Sequence, residues 1–142
     1  MALSFPIITD GLVVDVLVNF EASMLVQFWQ RGIKPQPTQG KAIIDTGSDI
    51  SAVSLPILQL LGVPPVLETM TQGIGGSVSV HLYRVSLNIF DSQNVNAPWI
   101  PHPTLLVMEL VPGIPFDVLI GMDVIRACKM TVDGPGNYFM LD

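Results

Sequence analysis

From Leu12 to Phe20 the chain alternates: Leu12, Val14, Val16, Val18 and Phe20 fall in step at every second position, and Asp15 and Asn19 fall on the other face. Successive side chains of a strand point to opposite sides, so this period fits a half-buried β-strand and not a helix. Met24, Val26 and Phe28 continue the period and read as a second strand, which runs into Lys34–Gly40, where two prolines and a glycine stop regular pairing. Lys41–Asp45 is a short apolar run closed by Thr46-Gly47-Ser48, a buried strand ending in a tight turn. Farther on, Val78, Val80 and Leu82 share one phase and Tyr83, Val85, Leu87 and Ile89 the opposite one; a bulge or a strand changing partners produces such a slip. Asn94–Pro103, with three prolines, reads as an irregular loop, and Thr104–Val111 and Asp117–Ile120 as strands. Lys129–Asp133 and Asn137–Leu141 flank Gly134-Pro135-Gly136 as a hairpin. Ser54 before Leu55-Pro56, with Gly62 after Leu61, punctuates one short helix. The expected fold is all-β in the main, with two short helices, in one domain over residues 1–142.

Composition narrows the function. Apolar residues make up 49% of the chain and charged ones 13%, which excludes a disordered segment. Twelve acidic residues against six Lys and Arg give a net charge of -6, so no basic field exists to draw in nucleic acid. So apolar and weakly charged a surface calls for a cover, and another subunit is the usual one. Cys128 is the single cysteine, and His81 and His102 are the only histidines. An internal disulfide, a thiolate zinc site and a multi-histidine metal site are therefore not expected, and no cofactor is implied. Asp15, Asn19 and Glu21 interrupt the most apolar stretch, Leu12–Trp29, which argues against a membrane span. The first ten residues lack Lys and Arg and carry Asp10, unlike a secretory signal, so a cytoplasmic location is expected.

The segment Ala42-Ile43-Ile44-Asp45-Thr46-Gly47-Ser48-Asp49 delivers a carboxylate on an apolar strand into a turn. Gly47 lets a substrate chain come close. Ser48, Ser51 and Ser54 have no accompanying His-Asp pattern for a serine hydrolase. Two more segments follow in order: Gly73-Ile74-Gly75-Gly76, with Val80, Tyr83, Leu87 and Ile89 behind it, and Val118-Leu119-Ile120-Gly121-Met122-Asp123-Val124-Ile125. In series these three motifs resemble the retropepsin family, the single-domain aspartic proteases of retroviruses and their cellular and bacterial relatives. The resemblance runs from about Leu12 to Leu141, and the Cys128–Leu141 hairpin is similar to the cellular and bacterial branch. It implies a single-lobe, closed-barrel acid-protease fold with one or two short helices, working as a homodimer on a peptide or protein substrate.

Aspartic proteolysis needs two carboxylates that share a proton, one acting as base on a water and the other donating to the peptide carbonyl. This chain offers one, because Asp10-Gly11 and Asp133-Gly134 lack the middle residue of the motif. A symmetric dimer would set Asp45 of each subunit across the two-fold axis. The resemblance implies that Asp45 is catalytic, that Thr46 braces the dyad across the axis, and that Gly47 contacts substrate backbone. Ser48 and Asp49 would line the cleft. Gly73, Ile74, Gly75 and Gly76 would form the tip of a flap over Thr71–Ser79, with the Ile74 N–H near a substrate-bridging water. Apolar pockets would include Ile74 and Val53. A dyad holding one shared proton implies activity in acidic to mildly acidic solution.

Two departures from the family pattern stand out. Viral members carry, after the glycine of the closing motif, an arginine that pairs with the second acid of the catalytic loop; here that position is Met122, and Arg126 is the candidate substitute partner of Asp49. The segment from Phe20 to Gly40 is also longer than in compact viral enzymes. A second reading keeps the fold and dimer without turnover, as a peptide-binding or dimerisation module.

Overall fold

The computed structural model describes residues 2–73, 75–110 and 113–142. In chain order the elements are β1 (Leu3–Pro6), β2 (Val13–Phe20), α1 (Ala22–Gln30), β3 (Thr38–Ile44), β4 (Ala52–Val53), α2 (Leu55–Leu61) and β5 (Leu67–Gly73). There follow β6 (Gly76–Phe90), β7 (Ile100–Glu109), β8 (Val118–Ile120), α3 (Met122–Ile125), β9 (Met130–Asp133) and β10 (Tyr138–Leu141). β2 pairs with β3, β3 with β8, β8 with β4, β4 with β7, β7 with β6, and β6 back with β2, which closes a six-stranded barrel. Closure leaves these six strands without a free edge along their paired lengths. Val14, Val16 and Val18 of β2, Ala42 and Ile44 of β3, Val85, Leu87 and Ile89 of β6, Val107 of β7 and Val118 and Ile120 of β8 are buried in its core. β5 lies outside the ring, paired only with β6. A separate sheet, in the order β1-β10-β9, joins both ends of the chain through a Phe5–Phe139 stack at 5.4 Å. No helix among the described residues is long and apolar enough to cross a membrane.

The mainly β, closed-barrel expectation holds, and so do the last hairpin and α2, which ends on Gly62 at φ 80°, a left-handed cap that glycine takes without strain. The slip in β6 at Leu82–Tyr83 has one of the two anticipated causes, a change of partner; the bulge lies beyond it and puts its extra residue in β7. The first half of β6 pairs with β5 and the second half with β2, and the bulge interrupts the β6–β7 register between Val85 and Leu87.

Three local expectations are corrected. Met24–Phe28 is helical, in α1, because its apolar residues also fit helical spacing: Met24, Leu25 and Phe28 pack on the core while Val26 is exposed. Phe28 meets Phe20 edge-on at 4.9 Å, so the inserted segment folds back on the end of β2, and the described residues hold three helices. β7 starts at Ile100, inside the anticipated loop, and carries Pro101 and Pro103. There β7 has only β6 beside it, since β4 reaches no farther than Met108 and Glu109, so a missing N–H costs no ladder bond.

β2, finally, is buried on both faces. Asn19 donates to the Pro35 carbonyl at 3.2 Å and accepts from the Phe20 N–H. Asp15 pairs with the Lys41 ammonium and accepts from Ser92, N–H at 3.0 Å and hydroxyl at 2.6 Å. Burial alone would raise the Asp15 carboxyl pKa, but the bonds from Lys41 and Ser92 outweigh it and hold the group below its ordinary value. A carboxylate depressed in the folded state stabilises above its unfolded pKa of about 3.9, and that contribution is lost as pH falls through the folded value. The melting temperature is accordingly expected to drop in acid below about pH 4. Asp15→Asn is expected to melt lower at neutral pH and to show a shallower acid limb, as thermal melts across pH would reveal. Parallel acid limbs would contradict this role.

Candidate active site

Asp45 follows the last residue of β3, a strand held on both sides, by β2 antiparallel and β8 parallel. Its backbone N–H donates to the Ile120 carbonyl at 2.8 Å, so the end of β8 fixes where the acid emerges. The chain then turns, with Ser48 N–H bonded to the Asp45 carbonyl at 3.2 Å. The Gly47 N–H donates to Asp45 Oδ1 at 2.9 Å, and a Cβ at Gly47 would stand 3.2 Å from that oxygen. Glycine at this position therefore lets the carboxylate fold over its own loop. One carboxylate oxygen is thus oriented by the loop.

Asp45, Thr46, Gly47 and Asp49 are exposed and Ser48 is half-buried. An apolar strand leading into the turn favours a partly desolvated carboxylate, but one chain alone leaves Asp45 open to water, and only a second body over this face could dry it. Ser48 donates its hydroxyl to the Ile50 carbonyl at 2.8 Å, and the Met122 N–H donates to the Ser48 carbonyl at 2.7 Å. Among the described residues no ion pair joins Asp49 to Arg126, so the suggested substitute for the viral arginine is not formed. Val53, expected to line a pocket, is fully buried in the core.

The second motif is a hairpin. β5 and β6 pair from Leu67↔Leu82 out to Gly73↔Gly76, so Gly73, Gly75 and Gly76 are gathered at its tip; Ile74 lies outside the described residues. Gly76 takes φ 108°, a conformation strained for any residue with a side chain. Along β6 Val78 shares a face with Val80 and Leu82; those two are buried, while Val78 is half exposed. The hairpin thus offers apolar surface on the side it turns toward the barrel.

The third motif closes the loop from beneath. β8 passes into Gly121 and the four-residue α3. A Cβ at Gly121 would lie 2.7 Å from the Ser48 carbonyl oxygen and 2.9 Å from the Ile50 carbonyl carbon, a backbone approach open only to glycine. Sequence reasoning placed this glycine and missed two partners, Ser51 and Asp123. From sequence Ser51 reads only as a nucleophile without a His-Asp pattern and Asp123 only as part of the motif; the signal for the pair is an acid that follows the closing glycine by two residues. His102 sits on β7, where burial holds its pKa below the ordinary histidine value and the Asp123 carboxylate pulls the other way. No group of three or more His, Cys, Asp or Glu able to hold a metal occurs among the described residues.

Comparison with known proteins agrees with this geometry. The model of a family described as aspartyl protease matches residues 32–124, about two thirds of the chain. The solved structures that match include a crystal structure of a retropepsin-like aspartic protease from Rickettsia conorii, 12% identical, with a TM-score of 0.62, covering 99% of this chain and 90% of that one. No curated protein matches. The chain belongs to the aspartyl protease family, and its fold is retropepsin-like.

Proposed function

We propose that the protein is an aspartic endopeptidase that hydrolyses extended peptides with a water held between two Asp45 carboxylates, one from each subunit of a homodimer. The observation that carries this reading is the solitary, exposed Asp45 carboxylate at the end of β3, one oxygen oriented by Gly47 N–H and the face around it uncovered. Half a catalytic device is present, and two-fold symmetry completes it with an identical half.

In the reaction, one carboxylate takes a proton from the water as it attacks the scissile carbonyl while the other, protonated, donates to the carbonyl oxygen. Collapse of the tetrahedral adduct breaks the C–N bond as the amine takes up a proton. Thr46 would brace the pair across the axis. Gly47 would meet the substrate backbone, Ser48 and Asp49 the cleft wall, and the hairpin tip at Gly73, Ile74, Gly75 and Gly76 would cover the substrate. An extended peptide would bond through its main chain between hairpin and floor, with Val78 favouring apolar side chains.

The test is cleavage of a broad peptide library over a range of pH, with molar mass measured in parallel by sedimentation. Expected are cuts strongest in acidic to mildly acidic solution and a mass twice the 15.4 kDa of the chain. A folded dimer that cuts nothing would transfer the fold to a binding or assembly role.

A further inference from the structure

One part-buried hydrogen-bond network joins the Asp45 loop to α3. Ser51, fully buried, donates its backbone N–H to Asp123 Oδ2 at 2.9 Å and its hydroxyl to Oδ1 at 2.7 Å. The same hydroxyl oxygen accepts the Gly121 N–H at 3.0 Å, and Asp123 Oδ1 accepts the Val124 N–H at 2.9 Å. One carboxylate thus grips both hydrogen-bond donors of a single residue, whose carbonyl accepts the Met108 N–H, and through that residue it also reaches the closing glycine. We propose that Asp123 is a positioning residue for Asp45, holding the 45–51 loop where the viral enzymes use the arginine that Met122 replaces; this rests on the aspartic-protease reading of the site.

The rest of the loop explains why such an anchor matters. Its start is tied to β8 through Asp45 N–H and its middle to α3 through Met122 N–H. Between Ser48 and Ser51 the Ser48 hydroxyl bonds only locally, to the Ile50 carbonyl, and Asp49 is exposed. Fixing Ser51 therefore fixes the far end of the turn that carries Asp45. Hydrogen bonds to a carboxylate are stronger than neutral ones, and the burial of Ser51 limits solvent competition for its two donors. Without Asp123 the buried Ser51 N–H has no partner, so the segment must shift to satisfy it. A displacement of about 1 Å in a catalytic group can lower turnover about 100-fold.

The test combines steady-state kinetics with amide hydrogen exchange, which needs no turnover. In Asp123→Ala and Ser51→Ala we expect kcat to fall between about 10- and 100-fold with KM within about threefold of wild type. The Asp45, Ser48 and Met122 amides should exchange at least about tenfold faster, while amides of β10 keep wild-type rates. Asp123→Asn, with one acceptor left for Ser51, should fall between. Ser51→Ala leaves the Asp123 contact with Val124 in place, so a loss there assigns the effect to the loop and not to the helix end. Wild-type exchange of the loop amides in Ser51→Ala and in whichever Asp123 variant folds would overturn the proposal. A wild-type protein that cuts nothing would sink the protease reading alone, leaving exchange to decide the positioning role.

Discussion

Asp45→Asn is expected to lower kcat/KM by at least about 1000-fold while the melting temperature and molar mass remain those of the wild type. The amide has the shape of the carboxylate and keeps an oxygen to accept the Gly47 N–H, so the loop has no reason to rearrange. Asp45 is exposed in the single chain and makes no ion pair among the described residues, so folding of the subunit does not lean on its charge. What is lost is chemical: an amide neither takes a proton from water nor shares one with a partner. In the proposed symmetric dyad one substitution removes both carboxylates. Residual cleavage above about a tenth of the wild-type rate, in a preparation free of other proteases, would place the chemistry away from Asp45.

The sequence was most legible where a residue's role is local. Asp45 at a strand end, Gly62 as a helix cap and Gly134-Pro135-Gly136 as a hairpin turn each follow from backbone preference within a few positions. Reading failed where tertiary cover decided the outcome. Met24, Val26 and Phe28 satisfy period two, yet Leu25 and Phe28 finding Phe20 and the core turn the segment into a helix. Asp15 looks like a solvent-facing residue until Lys41 and Ser92, 26 and 77 positions away, close over it. Pro101 and Pro103 argue for a loop unless one knows that β4 is too short to reach them. The candidate site divides the same way. The Asp45 loop could be located from its motif, but the Ser51–Asp123 grip spans 72 positions, and no short-range pattern joins its two ends.

Gly121→Ala is expected to cost about 3 kcal/mol of stability, near the upper end for overpacking, which lowers the melting temperature by roughly 10 °C in a chain of this size, and to abolish measurable cleavage. The glycine is not needed for its backbone angles, since φ -97° and ψ -171° are open to any residue. It is needed for space. An added methyl would stand 2.7 Å from the Ser48 carbonyl oxygen and 2.9 and 3.0 Å from the Ile50 carbonyl carbon and oxygen. These are backbone atoms of the Asp45 loop, which cannot swing aside as the tip of a side chain can. Relief has to come from moving the loop off β8 and α3, breaking the 2.7 Å Met122–Ser48 bond and the Gly121 bond to Ser51. Asp45, three residues from Ser48 and five from Ile50, moves with them. Gly134→Ala is the matched control, because a Cβ there meets nothing within 4 Å and should leave melting and cleavage close to wild type. If Gly121→Ala melts with that control and still cuts, the loop does not rest on the closing motif, and the third motif contributes to the barrel without shaping the site.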